Sequence, residues 1–160
     1  MFRKCKKSRK AYKIMRVVVQ RSLNSNVSVD NKIVGSIDKG LVLLVGFTHD
    51  DDLSEIDYMV KKIVNLRIFD DENGVMNKSI LDICGSILSI SQFTLYGDAK
   101  KGNRPSYVKA LSGDQATIFY DEFNNKLRQY VHVETGIFGA DMKVNIINDG
   151  PVTILLEREK

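Results

Sequence analysis

The pattern of apolar and polar positions is strand-like along most of the chain and helix-like in two places. Met15 to Arg21 (Met-Arg-Val-Val-Val-Gln-Arg) is rich in valine and predicts a strand. Val27 to Val29 and Lys32 to Ile37 flank Asp30-Asn31, a hairpin signal. From Gly40 the run Leu-Val-Leu-Leu-Val-Gly-Phe is apolar without alternation and of strand length, so it should be buried on both faces. Ile56, Met59, Val60, Ile63 and Leu66 recur at helical spacing, with Asp57, Lys61 and Lys62 on the other face, behind N-cap candidates in His49 to Asp52 and at Ser54. Asp70 to Gly74 is a turn cluster, and Val75 to Cys84 is irregular. Phe119, Phe123, Leu127 and Tyr130 mark a second helix, with Ser112 or Asp114 as its cap. Val131 to Glu134, Met142 to Ile147 and Val152 to Glu157 predict strands, the last two separated by a strong break at Asn148-Asp149-Gly150-Pro151. Two helices among seven or eight strands imply an α/β or α+β domain, a sheet of mixed or antiparallel strands covered by two main helices.

One stretch stands apart. Ser86 to Tyr96 opens as an alternating strand, with Leu88 and Ile90 on one face, and then gathers Ser91, Gln92 and Thr94 just before Gly97. Hydrogen-bonding side chains at the end of a buried strand need partners. Two readings stand at this point. They cap the strand and its turn, as Ser and Thr do in many proteins, or they line a site for a polar substrate. The loop that follows, Asp98 to Ser106, brings Lys100, Lys101 and Arg104 near that strand end, where they could hold a phosphate or simply face solvent.

Composition narrows the classes. With 160 residues, 43% hydrophobic and 28% charged, the chain suits one globular domain, and no apolar run is long enough to span a bilayer. Cys5 and Cys84 make no disulfide framework, so a reducing, cytoplasmic compartment is the default. The two cysteines with His49 and His132 show no metal-ligand spacing, and no metal or cofactor is expected. The net charge of +4 is misleading. Residues 1–14 hold seven of the 24 basic residues and no acid, leaving 17 basic against 20 acidic residues from Met15 onward. A nucleic-acid contact would therefore be local rather than spread over the whole surface. This basic leader, residues 1–14, is expected to be poorly ordered or non-native, ahead of a domain from 15 to 160.

Together the motifs carry a resemblance. Ser91-Gln92-Phe93-Thr94 paired with Asn148-Asp149-Gly150-Pro151-Val152-Thr153 resembles the motif pair of D-aminoacyl-tRNA deacylases. The Met15 to Arg21 opening, Lys101-Gly102-Asn103-Arg104-Pro105 and Phe138-Gly139-Ala140-Asp141-Met142 are similar to that family too, in its order and spacing, from Met15 to about Glu157. The resemblance implies a homodimeric, metal-free esterase that hydrolyses tRNA carrying a D-amino acid or glycine. It implies a catalytic pocket of Ser91, Gln92, Phe93 and Thr94. It also implies a cis Gly150-Pro151 peptide, held by Arg21, that projects into the partner's pocket and selects chirality. Lys100, Lys101, Arg104, Phe138, Gly139 and Met142 would contact the tRNA.

The residue types agree with ester chemistry of a modest kind. The expected pocket offers no serine–histidine pair and no carboxylate dyad, so a triad or paired-acid mechanism has little support, and the missing Gly-x-Ser-x-Gly elbow argues against a generic serine esterase. An activated aminoacyl ester needs only orientation, an oxyanion donor and water. Gln92 and the N–H groups around Phe93 and Thr94 are the candidate donors. Thr94 has no neighbouring base, which favours a positioning role over a nucleophilic one. A non-catalytic tRNA-end-binding module is the competing class; it could lose the Ser-Gln-Phe-Thr pocket, which is intact here.

Overall fold

The computed structural model describes residues 13–159 and contains eight strands and two α-helices among them. The expectation for residues 1–12 lies outside the described residues. Strand β1 (Lys13–Val29) starts two residues before Met15, so Lys13 and Ile14 belong to the sheet rather than to the leader. β1 is followed by β2 (Lys32–Ile37), β3 (Gly40–Gly46), helix α1 (Leu53–Asn65) and the short pair β4 (Phe69–Asp70) and β5 (Met76–Lys78). Then come β6 (Ser86–Ser91), a 3₁₀ turn (Phe93–Tyr96), helix α2 (Gly113–Arg128), β7 (His132–Thr135) and β8 (Lys143–Glu159).

The main sheet runs β2-β1-β3-β6-β7, with β8 on the other edge of β1. β1 is antiparallel to β2, β3 and β8, while β3-β6 and β6-β7 are parallel. The sheet curls until its ends approach. A Cβ on Gly35 of β2 would sit 2.8 Å from the carbonyl oxygen of Thr135 in β7, so only a bare backbone fits there. Asp30 and Asn31 both take positive φ (50° and 62°), the backbone of a tight hairpin turn that asparagine and aspartate tolerate.

Two apolar clusters fill the space on either side of the sheet. The larger joins Val17, Val19, Leu41, Leu43 and Ile87 to Ile56, Met59 and Ile63 of α1 and to Tyr120, Phe123 and Leu127 of α2. The smaller, Val27, Ile37, Val42, Leu88 and Ile90, fills the inside of the curled sheet, with Met142, Val144 and Ile146 against it. Because β3 and β6 contribute to both clusters, each reads as an apolar run rather than a clean alternation. Helix α1 begins in a full capping box: the Asp52 side chain accepts from Ser54 N–H and the N3 backbone, and Glu55 accepts from Asp52 N–H at 2.7 Å. Ser112 caps α2 by position but not through its side chain.

Three expectations are corrected. β8 is one strand through Asn148 to Pro151 rather than two strands split by a break, and β1 likewise continues through residues 22–26. The turn residues are absorbed as a bulge. Gln20 pairs with Thr153 and Ser22 with Asn148, so Asp149 to Val152 stand opposite Arg21 alone. The small β4–β5 hairpin sits within what reads as turn and irregular chain. Asp71 organises it by accepting from Asn73 N–H (2.9 Å) and Val75 N–H (3.1 Å).

Gly40 starts the β3–β6 pairing that carries the cavity described below. It has φ 155°, and a Cβ there would lie 1.8 Å from the Ser86 carbonyl oxygen. Gly40→Ala should therefore break the head of this parallel ladder. The expected outcome is a loss of at least about 3 kcal/mol in denaturant unfolding, typical of backbone strain combined with core disruption, whereas Gly74→Ala, at an open turn, should cost far less.

Candidate active site

A cavity of about 500 Å³ opens at the carboxyl ends of the parallel strands β3 and β6, the edge where open α/β sheets bind ligands. Its floor is Val45, Gly46 and Phe47 beside Ile90, Ser91 and Gln92. Leu111, Gly113 and Ala116 at the start of α2 form one wall, and Phe138, Gly139, Ala140 and Met142 form the other. A buried tyrosine fixes these walls. The Tyr120 hydroxyl donates to the Ser89 carbonyl oxygen (2.7 Å), tying α2 to β6, and its ring packs at 5.8 Å from that of Phe138. Burial raises the Tyr120 pKa, so the hydroxyl stays a donor.

Past Ser91 the chain leaves the sheet. Gln92 N–H donates to the Val45 carbonyl oxygen (2.7 Å), the last ladder-like bond before the 3₁₀ turn. The turn is closed by Leu95 N–H to Gln92 O (3.2 Å) and Gly97 N–H to Thr94 O (2.9 Å). The N–H groups of Phe93 and Thr94 lie in its first turn, where the leading donors have no acceptor within the helix. Gln92 Nε2 donates to the Thr94 hydroxyl oxygen, so one side chain of the motif orients another. Thr94 is exposed and does not line the cavity, whereas Ser91, Gln92 and the also exposed Phe93 do line it. Beneath the turn, Arg16 braces it three ways: Nη1 to the Leu95 carbonyl oxygen (2.8 Å), Nε to Glu157 (2.7 Å), and the guanidinium 4.8 Å over the Tyr96 ring. Nothing in the residue pattern marks Arg16 for this role; it depends on β8 bringing Glu157 alongside β1.

The predicted residues divide among four places. Phe138, Gly139 and Met142 join the Ser91–Phe93 cavity. Lys100 lies in a second hollow of about 320 Å³ on the far side of the 3₁₀ turn, with Arg16, Tyr96, Asp98 and Lys109. Lys101 and Arg104 are exposed on the loop, which Asp98 and Ser106 close by exchanging backbone hydrogen bonds at 2.8 Å each. Arg21, Gly150 and Pro151 are elsewhere. Arg21 pairs with Leu41, five residues from the cavity floor at Gly46, or about 17 Å at roughly 3.3 Å per residue.

At that far end the Gly150–Pro151 peptide is cis. Arg21, only 8% exposed, holds the bulge. Its Nε donates to the Asp149 carbonyl oxygen (3.1 Å) with the Asp149 carboxylate at 3.4 Å, and its Nη1 donates to Ile68 O (3.0 Å) and Asp70 Oδ1 (3.3 Å). Asn148 closes the neck: its Oδ1 accepts from Val152 N–H (3.0 Å), and its Nδ2 donates to the Thr153 hydroxyl oxygen (2.9 Å). Gly150 has φ 126°, and a Cβ there would meet Val152 Cγ2 at 2.8 Å and Arg21 Nη2 at 3.0 Å. Asp70 and Ile68 are parts of this clamp that the residue pattern does not reveal, because the α1–β4 connection reaches Arg21 only in three dimensions.

Comparison with known proteins follows the same lines. The family model for D-Tyr-tRNA(Tyr) deacylase matches residues 18–157. The chain belongs to that family. Its members' chemistry makes it a hydrolase that deacylates D-aminoacyl-tRNA. A solved structure titled c-Myc DNA Unwinding Element Binding Protein superposes with a TM-score of 0.85 at 41% identity, covering 89% of this chain and 98% of that one. A probable eukaryotic D-amino acid tRNA deacylase shares the fold at 19% identity and a TM-score of 0.78, covering 90% and 99%. Among the described residues no His, Cys, Asp and Glu cluster is arranged to hold a metal ion, and no helix is long and apolar enough to cross a membrane.

Loop closure in this deacylase should respond to acid. The Lys100 N–H bond first, and then Lys109, hold the Asp98 carboxyl below its ordinary 3.8. A carboxylate lowered on folding stabilises the loop above pH 3.8, and that contribution is lost as pH falls through the lower folded value. In an NMR titration from pH 7 to 2, the Lys100 and Ser106 amide signals should hold steady down to about pH 4 and shift only below the ordinary carboxylate value. A midpoint above 4 would contradict the assignment.

Proposed function

We propose that the protein is a chiral proofreading enzyme that removes D-amino acids, and also glycine, from tRNA and rejects L-aminoacyl substrates. We place it in the cytoplasm as a homodimer whose active sites are completed across the two-fold axis. The observation that carries this reading is the separation of the two motif halves. The cavity with Ser91, Gln92 and Phe93 lies at one end of β3, and the clamped Gly150–Pro151 turn lies at the other. A second copy could present its turn to the first copy's cavity, with an isologous interface returning the favour.

In this reading the aminoacyl ester sits in the cavity, and the terminal adenosine packs against Phe138, Gly139 and Met142. N–H groups at Phe93 and Thr94, with Gln92, stabilise the developing oxyanion. Water attacks the ester carbon with help from the 2′-hydroxyl of the terminal ribose, the bond to the ribose oxygen breaks, and the proton passes to that oxygen. Thr94 orients Gln92. Its oxygen already accepts a hydrogen bond from the Gln92 amide, which lowers its power as a nucleophile. Chirality follows from shape. Once the amino and ester groups are fixed, a rigid backbone wall excludes a side chain in the L position but passes a D-residue, and glycine has no side chain to exclude. Lys100, Lys101 and Arg104 hold tRNA phosphates.

The test is hydrolysis of D- against L-tyrosyl-tRNA and glycyl-tRNA by the purified protein. The D and glycyl substrates should be cleaved and the L substrate spared; equal rates on all three, or none, sink the reading. Thr94→Ala should keep activity within about tenfold, where loss of a true nucleophile would cost several orders of magnitude. Gly150→Ala should lower turnover of D-substrate and disturb the Arg21 contact, with sedimentation still showing a dimer. A fully active monomer would remove the cross-subunit site.

A further inference from the structure

The rim of the cavity carries a feature that the proposed catalysis does not use. The Phe93 and Tyr107 rings meet edge to face, with centroids 5.2 Å apart and planes at 67°, and they are 57% and 41% exposed. Phe93 lines the cavity and Tyr107 stands outside it, so the pair forms a path from the cavity outward. Tyr107 is held rigidly at the neck of the loop. It follows Ser106, which exchanges backbone hydrogen bonds with Asp98, and its ring rests on Gly97, where a Cβ would come within 3.0 Å of Cε1. From Ala99 to Lys109 the loop holds Lys100, Lys101, Arg104 and Lys109 and no acid. The wider fold from Met15 onward has more acids than bases, so this concentration of cations is local.

We propose that Tyr107, with Phe93, is a stacking platform for an unpaired nucleobase of the tRNA 3′ end, next to the nucleotide whose ester enters the cavity. The proposal rests on aminoacyl-tRNA being the substrate. A rigid exposed ring offers a π-face to any base, and the surrounding cations track the phosphates, the combination by which proteins bind single-stranded nucleic acid. The charge argues against a protein partner on this patch, since the cores of protein interfaces are depleted in lysine. It also explains why Tyr107 can be exposed next to a highly polar loop without being buried by its own chain.

The experiment is equilibrium binding of uncharged tRNA, compared with the same tRNA lacking its three unpaired 3′ nucleotides. Tyr107→Ala should weaken binding of the intact tRNA about tenfold, the usual effect of losing one base stack. Tyr107→Phe, which keeps the ring, should stay within about twofold. On the shortened tRNA, wild type and both variants should bind alike, and the salt dependence should be unchanged because no cation is removed. Wild-type affinity for the intact tRNA in Tyr107→Ala would overturn the proposal, as would an equal loss on both RNAs. Sedimentation showing that Tyr107→Ala changes self-association instead would also overturn it, by assigning the ring pair to an interface between copies. Binding is read without turnover. A wild type that passes this test yet hydrolyses no D-aminoacyl-tRNA would leave the platform standing and sink the deacylase reading.

Discussion

The pairing of β1 with β8 is the constraint on which the rest of the molecule depends. Both strands are 17 residues long, and together they link the helix-covered side of the sheet to its curled interior. Along most of their length the ladder satisfies the backbone. At Arg21 it is interrupted, and four residues of β8 oppose one of β1. The interruption leaves polar groups that need partners, and Arg21 supplies them. A planar, permanently charged fork buried at the bulge can reach a carbonyl and a carboxylate on one side and the α1–β4 connection on the other. The same pairing sets Glu157 beside Arg16 at the opposite end, where Arg16 braces the 3₁₀ turn. One strand pair therefore supports both motif regions.

The parallel strands β3 and β6 form the second half of this logic. Their apolar side chains serve two cores, which leaves little freedom for the backbone and makes the strand ends rigid. A rigid strand end suits a reaction in which the substrate is already activated and the protein mainly holds it. The donors around Phe93 come from backbone and amide groups rather than from a titrating acid or base. In the mechanism we propose, the site acts through orientation and dipoles, which depend on geometry being kept more than on any tuned ionisation.

Much of this could be read from the chain alone. Helical spacing at Ile56 to Ile63 and at Phe119 to Leu127 located both helices, and the run from Gly40 located a strand buried on both faces, because these patterns express local geometry and burial directly. The Ser91–Thr94 and Asn148–Thr153 motifs marked the two regions on which the proposed site rests. The reading failed where local signals competed with pairing. Asn148-Asp149-Gly150-Pro151 has every mark of a break, and the strand runs on through it because β1 continues alongside and absorbs the surplus as a bulge. The β4–β5 hairpin is too short to give a period, and one aspartate makes it.

What the sequence determined by itself is therefore the two helices, most of the strand positions, their apolar faces and the two motif regions, all properties of residues within a few positions of one another. Tertiary structure alone decided which residues share a site. It put Phe138 and Met142 beside Ser91, set Tyr107 against Phe93, and brought Ile68 and Asp70 to Arg21. It also left Gly150–Pro151 a strand's length from the cavity. These are contacts between segments tens of residues apart. Their formation depends on sheet order and curl, which the burial of all the apolar faces at once selects and no single stretch encodes.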